Sequence, residues 1–335
     1  MTRTLEQPIP DRASHPNSYY ETTIVSAGAP IVLSVWPGDP GAPTAVFLPG
    51  TMTHPLFYAE FLERLNRRGL SVVGVHYQGH GHSPRFGSQL HWANLVVNAT
   101  DAVDWAADHL DGPVVLLGSS QGGVLAMAVA ARTRQLALVA AHNVLDPSLP
   151  ESLTITRLPR WLIGGYRPLR VTLRLAARLA PELPVPFWAY LDLDRVCGQP
   201  ETRRRFLTDP LGLRCYPLGF LAELCTADLS GMGDGSIGCP VLVIAARGDP
   251  LFSLGYTRRV FDRIVAPAKE LLVFDVDRHL LFNECVELVS DPLVDHIHRL
   301  AAMPGTAEGG SAHVSTADIS HRPMELARQR CEEDW

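Results

Sequence analysis

The chain has 335 residues, 46% of them hydrophobic and 19% charged, which is typical of a globular protein and not of a disordered one. The net charge of −6 argues against a nucleic-acid partner, because phosphate binding calls for a basic surface. No apolar run reaches the ~20 residues that cross a bilayer, and the N-terminus lacks the apolar core of a signal peptide. The six cysteines show no metal-binding spacing, so we expect a cytoplasmic protein with free thiols, no metal and no other cofactor. The oligomeric state is left open.

The first half of the chain alternates between predicted strands and helices. Residues 1–18 are interpreted as a flexible N-terminal arm, and the runs 22–27 and 31–36 predict a β-hairpin. Buried strands are then predicted at 44–49, 70–77, 113–118 and 137–144, with helices between them at 56–69, 95–110 and 123–132. This alternation is typical of βαβ units, so residues 19–147 are expected to form the first part of an α/β core with a mostly parallel central sheet flanked by helices.

The α/β pattern stops near residue 147. The segment 148–236 is rich in Arg, Leu, Pro and Trp and contains no convincing central strand, so we interpret it as a helical cap inserted into the core. The pattern resumes over 237–302, with strands at 240–246 and 270–276 and helices at 255–266 and 283–302. The polar tail, 303–335, is expected to be disordered. The cap would lie over the C-terminal strand edge, where open α/β sheets bind ligands.

The stretch GSSQG at 118–122 joins a predicted strand to a predicted helix and fits the G-x-S-x-G nucleophile elbow. Such a turn holds its central serine, Ser120, in a strained backbone conformation with the hydroxyl above the sheet. Gly118 and Gly122 avoid a collision across the turn. The helix that follows presents backbone N–H groups and its positive end to a developing anion. Ser120 is therefore the predicted nucleophile, and Ser119 is out of register.

A serine nucleophile needs a base, and the base needs an orienting acid. In folds built around this elbow the three occur in the order serine, acid, histidine. His279 follows the last predicted core strand and is the candidate base. Asp249 follows the strand after the insertion and is the favoured acid, and Asp146, which also follows a core strand, is an alternative.

Acyl transfer also requires two hydrogen-bond donors for the oxyanion. One is expected to be the backbone N–H of Gln121, the residue after the nucleophile. The other is expected from the loop GTMTHP at 50–55, from Met52 or Thr51, with Met52 preferred. His54 in the same loop is expected at most to line the entrance of the site.

With these motifs the chain resembles the α/β-hydrolase superfamily, specifically its monoacylglycerol-lipase-like and serine-aminopeptidase-like branch. The stretch LPGTMTHPLFYAEFLERLNRRGLSVVGVHYQGHGHSP is similar to the family's oxyanion-loop region and includes GHGHS at 79–83, for which a structural turn is expected. The resemblance covers most of 20–147 and 237–300 and implies the α/β-hydrolase fold. In two departures, Pro49 stands where the family usually has histidine, and Arg278 where a glycine usually precedes the catalytic histidine.

The leading hypothesis is a serine hydrolase that cleaves a carboxylic ester with a hydrophobic or lipid-like acyl group through an acyl-enzyme on Ser120. Its partner would be a small-molecule acyl substrate. The same triad would also serve an acyltransferase, a thioesterase or a cyclase of a biosynthetic pathway. A peptidase would need an acidic patch for the substrate amine, for which Glu182, Asp192 and Asp194 are candidates. A non-catalytic ligand receptor on a hydrolase fold is the remaining alternative.

Overall fold

The computed structural model of the chain describes residues 19–85, 90–303 and 313–319. Its strands lie, in chain order, at Tyr20–Ser26 (β1), Ala29–Trp36 (β2), Thr44–Leu48 (β3), Ser71–His76 (β4), Val114–Ser119 (β5), Leu136–His142 (β6), Pro184–Pro186 (β7), Cys215–Pro217 (β8), Val241–Ala246 (β9), Ala268–Phe274 (β10) and His313–Ile319 (β11). Its α-helices lie at Ala59–Arg67 (α1), Trp92–His109 (α2), Gln121–Ala130 (α3), Tyr166–Leu179 (α4), Leu193–Val196 (α5), Pro200–Thr208 (α6), Leu218–Cys225 (α7), Leu254–Arg263 (α8), Leu281–Glu284 (α9) and Val286–Ala301 (α10).

Nine of these strands form one sheet in the order β1-β2-β4-β3-β5-β6-β9-β10-β11. The pairs β1–β2 and β2–β4 are antiparallel, and all the other neighbouring pairs are parallel. Strands β3, β4, β5 and β9 are buried along their whole length, because helices cover both faces of a parallel sheet. Helix α1 packs against α10, and α2 packs against α3. The predicted α/β fold with a mostly parallel central sheet is confirmed.

Between β6 and β9 the chain leaves the sheet. This segment, residues 148–236, is called the cap below; it contains α4 to α7 and three-residue strands β7 and β8, which pair with each other alone. The sequence pattern did not predict this ribbon. Each of its strands contains proline, and three residues are too few to show the alternation that marks a strand.

The tail contains one strand, β11, that its polar composition does not predict. Strand β11 pairs in parallel with the edge strand β10, so disorder is the wrong expectation for these seven residues. The physical reason is that β10 would otherwise present unpaired backbone groups. The carbonyl of Ile319 accepts from the N–H of Asp275, and Asp318 pairs with Arg247 at 3.1 Å. The arm 1–18 and the tail residues 304–312 and 320–335 lie outside the described residues.

Candidate active site

Ser120 sits in the sharp turn between β5 and α3, with backbone angles of φ 53° and ψ −115°. A positive φ is strained for a residue with a side chain and is typical of functional turns. The turn is fixed by the N–H of Ser120, which donates to the carbonyl of His142 at 2.9 Å. A Cβ on Gly118 would lie 2.1 Å from the carbonyl oxygen of Gly122, and one on Gly122 would lie 2.0 Å from that of Leu48. Both glycines are therefore required by close backbone approaches.

His279 and Asp249, which follow β10 and β9, form a buried pair. Nδ1 of His279 lies 3.0 Å from Oδ2 of Asp249. The other carboxylate oxygen accepts the N–H groups of Leu251 and Phe252 at 2.7 and 2.8 Å. Burial alone would raise the pKa of Asp249, but the charge and hydrogen bond of His279 and the backbone donors lower it below its ordinary value. Asp249 is therefore held as a carboxylate that can orient an imidazole.

The alternative acid, Asp146, faces elsewhere. Its Oδ2 lies 3.1 Å from Nε of Arg263, and its Oδ1 accepts the N–H of Ser148 at 2.8 Å. Both carboxylate oxygens thus have partners away from His279. The geometry favours Asp249 as the acid.

A polar pair that was not predicted from the sequence lies beside His279. The amide group of Asn143 lies 3.2 Å from Nδ1 of His279 and 2.7 Å from Nε2 of His142. Burial, and then the nearby His279, lowers the pKa of His142 to about 3, so the His142 ring is neutral. On the other side, the ring of Phe252 stacks on His279 with a centroid separation of 5.6 Å and an angle of 9°. The sequence does carry a signal for this pair, because the dipeptide His142–Asn143 lies at the end of a predicted core strand. That strand end is at the same edge of the sheet as Ser120.

Gln121 is the expected first oxyanion donor, and Met52 and Thr51 are the two candidates for the second. The structure distinguishes these two candidates. In the described part of the chain, the N–H groups of Gln121 and Thr51 have no protein acceptor, and both residues line the same cavity as Ser120. The N–H of Met52, however, donates to Oη of Tyr216 at 2.7 Å. The preference for Met52 is therefore corrected, because its hydrogen is already taken. Thr51 is the remaining candidate.

Tyr216, in the cap strand β8, holds the oxyanion loop through a chain of hydrogen bonds. Nδ1 of His80 donates to the carbonyl of Gln78 at 3.1 Å, so Nε2 accepts the hydroxyl hydrogen of Tyr216 at 2.9 Å. Burial lowers the pKa of His80 to about 4, which agrees with a neutral ring that accepts at Nε2. Tyr216 then accepts from Met52, whose carbonyl in turn accepts from Leu213 of the cap at 3.0 Å. The cap and the GHGHS turn thus fix the loop together.

His54 makes a second contact between the oxyanion loop and the cap. Its Nε2 lies 2.8 Å from Oδ2 of Asp209 in the cap, and its side chain is buried. It does not line the cavity at Ser120. The histidine instead fastens the loop to the cap.

Tyr216→Phe tests this coupling. Removing the hydroxyl leaves the buried N–H of Met52 without its acceptor and frees the loop that carries Thr51. Since losing one oxyanion donor costs on the order of 10²- to 10³-fold in kcat, we expect a displaced donor to cost roughly 10- to 100-fold. The loss should be equal for acetate and longer esters and should leave KM near the wild-type value. Tyr166→Phe is the control, because it also removes a hydrogen-bonded tyrosine hydroxyl from the cap, but Tyr166 does not line the cavity at Ser120. An unchanged kcat in Tyr216→Phe would contradict the positioning role.

The cavity at Ser120 is small and apolar, with a volume of about 120 Å³. Ser120, Gln121, Thr51 and His279 line one part of it. The cap supplies much of the rest, namely Ile155, Thr156, Tyr190, Leu191, Val196, Phe206, Leu221, Leu224 and Cys225. No carboxylate lines it in the described ranges, and Glu182, Asp192 and Asp194 lie outside it. This volume is below the range of about 300 to 1,000 Å³ that is usual for ligand pockets.

One group of side chains in the described residues has ligand atoms close enough to hold a metal: Glu21, His76 and His82. The N–H of His82 donates to Nδ1 of His76 at 3.0 Å. Nε2 of His76 therefore carries the ring hydrogen and donates to Oγ of Ser34 at 2.9 Å, so it has no lone pair for an ion. These donors do not fit a metal site.

The described cysteines are free, at 197, 215, 225, 239 and 285. No helix among residues 19–85 and 90–303 has the length and apolar character of a membrane span.

A family profile described as "Serine aminopeptidase, S33" matches residues 42–286, well over half of the chain. The chain is similar to the monoacylglycerol lipase of Paleococcus ferrophilus, with 19% identity and a TM-score of 0.59 over 83% of this chain and 99% of that one. It is similar to a soluble variant of monoglyceride lipase from Saccharomyces cerevisiae, solved with a substrate analog (14% identity, TM-score 0.64, 88% and 98% coverage). It is also similar to Est1E from Butyrivibrio proteoclasticus with bound ferulic acid (16%, 0.56, 84% and 100%). The comparison with curated proteins gave no match. At these identities the structural likeness shows a shared fold.

Proposed function

The chain belongs to the serine aminopeptidase S33 family of α/β-hydrolases, and from this premise we propose that it is a serine hydrolase of carboxylic esters with hydrophobic acyl groups. The observation that carries the proposal is the strained Ser120 in the same apolar cavity as a histidine whose Nδ1 is bound by a buried carboxylate. This arrangement suits acyl transfer, because the serine is presented at the strand edge and its base is held in one tautomer.

In this mechanism, Oγ of Ser120 attacks the ester carbonyl carbon, and its proton passes to Nε2 of His279. Asp249 stabilises the imidazolium through Nδ1. The N–H groups of Gln121 and Thr51 donate to the oxyanion. The C–O bond to the alcohol then breaks, and His279 gives its proton to the leaving oxygen. A water molecule repeats the sequence on the acyl-enzyme, which releases the carboxylic acid and returns the proton to Ser120.

The cavity supports an ester over a peptide substrate. A peptidase that binds a free amino terminus would place a carboxylate near the substrate amine, and none lines the cavity in the part of the chain that the structure describes. The apolar lining instead suits a hydrocarbon acyl group. The test is a panel of p-nitrophenyl esters of increasing acyl length against aminoacyl anilides. Faster turnover of the anilides would replace the ester proposal by the peptidase alternative, and product esters formed with an added alcohol would indicate an acyltransferase.

The cap should set acyl-length preference. Ile155 of the cap lines the cavity, so Ile155→Phe fills space that a longer acyl chain needs. Each methylene contributes roughly 1 kcal/mol in such a pocket, so we expect at least a tenfold fall in kcat/KM for the longer esters relative to acetate. Val171→Phe is the control, because Val171 is exposed on the outside of the cap. An equal fall for acetate and longer esters would place the acyl pocket elsewhere.

A further inference from the structure

Helix α4 of the cap exposes an apolar stripe. Val171, Leu175 and Leu179 follow each other at intervals of four residues, so they lie in one row along the helix. Their exposed fractions are 54%, 52% and 88%. The buried residues of the helix, Tyr166 and Ala177, point the other way, where α4 packs against α7. The α4 stripe, as these three residues are called below, is therefore an outward face without a partner in the described chain.

Further large apolar side chains are exposed on the segments next to α4. Trp161, in the 3-10 helix that leads into α4, is 78% exposed, and Leu183 and Trp188 beyond its end are 53% and 62% exposed. Isolated exposed apolar residues are ordinary, but this concentration in one short segment is not. Tryptophan and leucine are the side chains that favour the boundary between lipid headgroups and acyl chains.

The same segment is strongly basic. Residues 152–181 contain six arginines and no lysine or acidic residue, although the whole chain has a net charge of −6. At 100° per residue, Arg167, Arg174 and Arg178 fall on one flank of the α4 stripe. None of the six arginines forms an ion pair with a carboxylate of the described chain. Arg170 lies over the ring of Tyr166, but Arg167, Arg174 and Arg178 are exposed, so their charge is available to an outside partner.

We propose that the α4 stripe and its flanking arginines dock the cap on a lipid bilayer that carries anionic headgroups. The combination of an aliphatic row, exposed tryptophans and unpaired arginines matches an interfacial amphipathic helix. A second copy of the chain fits this surface less well, because self-association through α4 would bring two sets of arginines together without counter-charges. The inference stands apart from the proposed ester hydrolysis, since docking is measured without turnover.

The test is co-sedimentation of the full chain with vesicles of equal parts phosphatidylglycerol and phosphatidylcholine, compared with phosphatidylcholine alone. We expect binding to the anionic vesicles that weakens as salt is raised. Arg174→Gln with Arg178→Gln should weaken the partition coefficient on the order of 10- to 30-fold, and Leu175→Ser with Leu179→Ser should weaken it at least tenfold.

Matched controls lie on other surfaces of the molecule. Arg67→Gln with Arg258→Gln removes the same charge, and Val25→Ser removes an aliphatic side chain that is 58% exposed in β1. These variants should bind vesicles like the wild type. All variants should hydrolyse a short, water-soluble ester at the wild-type rate, because none of the changed residues lines the cavity.

Three results would overturn the proposal. The first is no binding to the anionic vesicles at low salt. The second is equal loss of binding in the α4 and control variants. The third is a dimer in analytical ultracentrifugation that Leu175→Ser with Leu179→Ser dissociates, because the stripe would then be an interface between copies. If the wild type binds vesicles but hydrolyses no ester, the result would count against the proposed function alone.

Discussion

Ser120→Ala is expected to lower kcat for ester hydrolysis by on the order of 10⁴- to 10⁶-fold and to abolish labelling by a fluorophosphonate. The reason is that, in the proposed mechanism, Oγ of Ser120 forms the acyl bond, and the oxyanion donors alone would supply only the residual rate. Folding should be intact, because alanine at φ 53° carries the same strain as serine and the backbone contact to His142 does not involve the side chain. The measurements are labelling, ester kinetics and thermal unfolding.

Ser119→Ala is the matched control. Ser119 is buried at the end of β5, with Oγ 3.4 Å from Nδ1 of His142, and does not line the cavity. Its loss should cost far less activity than the loss of Ser120 and should leave labelling in place. Labelling that persists in Ser120→Ala but not in Ser119→Ala would reverse the assignment of the nucleophile.

The core of the fold was predictable because burial leaves a repeated pattern. The strand predicted at 113–118 is observed at Val114–Ser119, and the helix predicted at 123–132 is observed at Gln121–Ala130. Continuous apolar runs and small-residue helices mark a covered parallel sheet whatever lies around them. Strand β11 was not predictable in the same way, because its order depends on pairing with the edge of β10 and not on its own composition.

The candidate site was predictable only as far as each of its residues follows a core strand. Ser120, Asp249 and His279 lie one, three and five residues beyond the ends of β5, β9 and β10, so the topology alone brings them to one edge. The choice between Met52 and Thr51 was not accessible in this way. It depends on a hydrogen bond between Met52 and Tyr216, which are 164 positions apart, and no local pattern reports such a contact.

Asp249→Asn is expected to lower kcat by about 10⁴-fold with thermal stability near the wild-type value. The backbone N–H groups of Leu251 and Phe252 hold Oδ1, so the amide nitrogen of the asparagine takes the position of Oδ2. That nitrogen donates a hydrogen toward Nδ1 of His279 where the carboxylate accepted one. The ring must then carry its hydrogen on Nε2, and it can no longer take the proton of Ser120. Stability changes little, because the substitution keeps the volume of the side chain and both backbone hydrogen bonds to Oδ1.

Asp146→Asn separates the two candidate acids in the same assay. Asp146 pairs with Arg263, whose side chain is 54% exposed, so we expect a stability loss within about 1 kcal/mol and nearly unchanged kcat. Measured side by side, the two variants should differ in kcat by several orders of magnitude and hardly at all in unfolding temperature. A larger kcat loss in Asp146→Asn would mean that His279 is oriented from β6 and not from β9, and that the pair seen at 3.0 Å is not the one used in catalysis. The fluorophosphonate reports the same difference without turnover, since its rate of reaction depends on proton removal from Ser120 by the oriented ring.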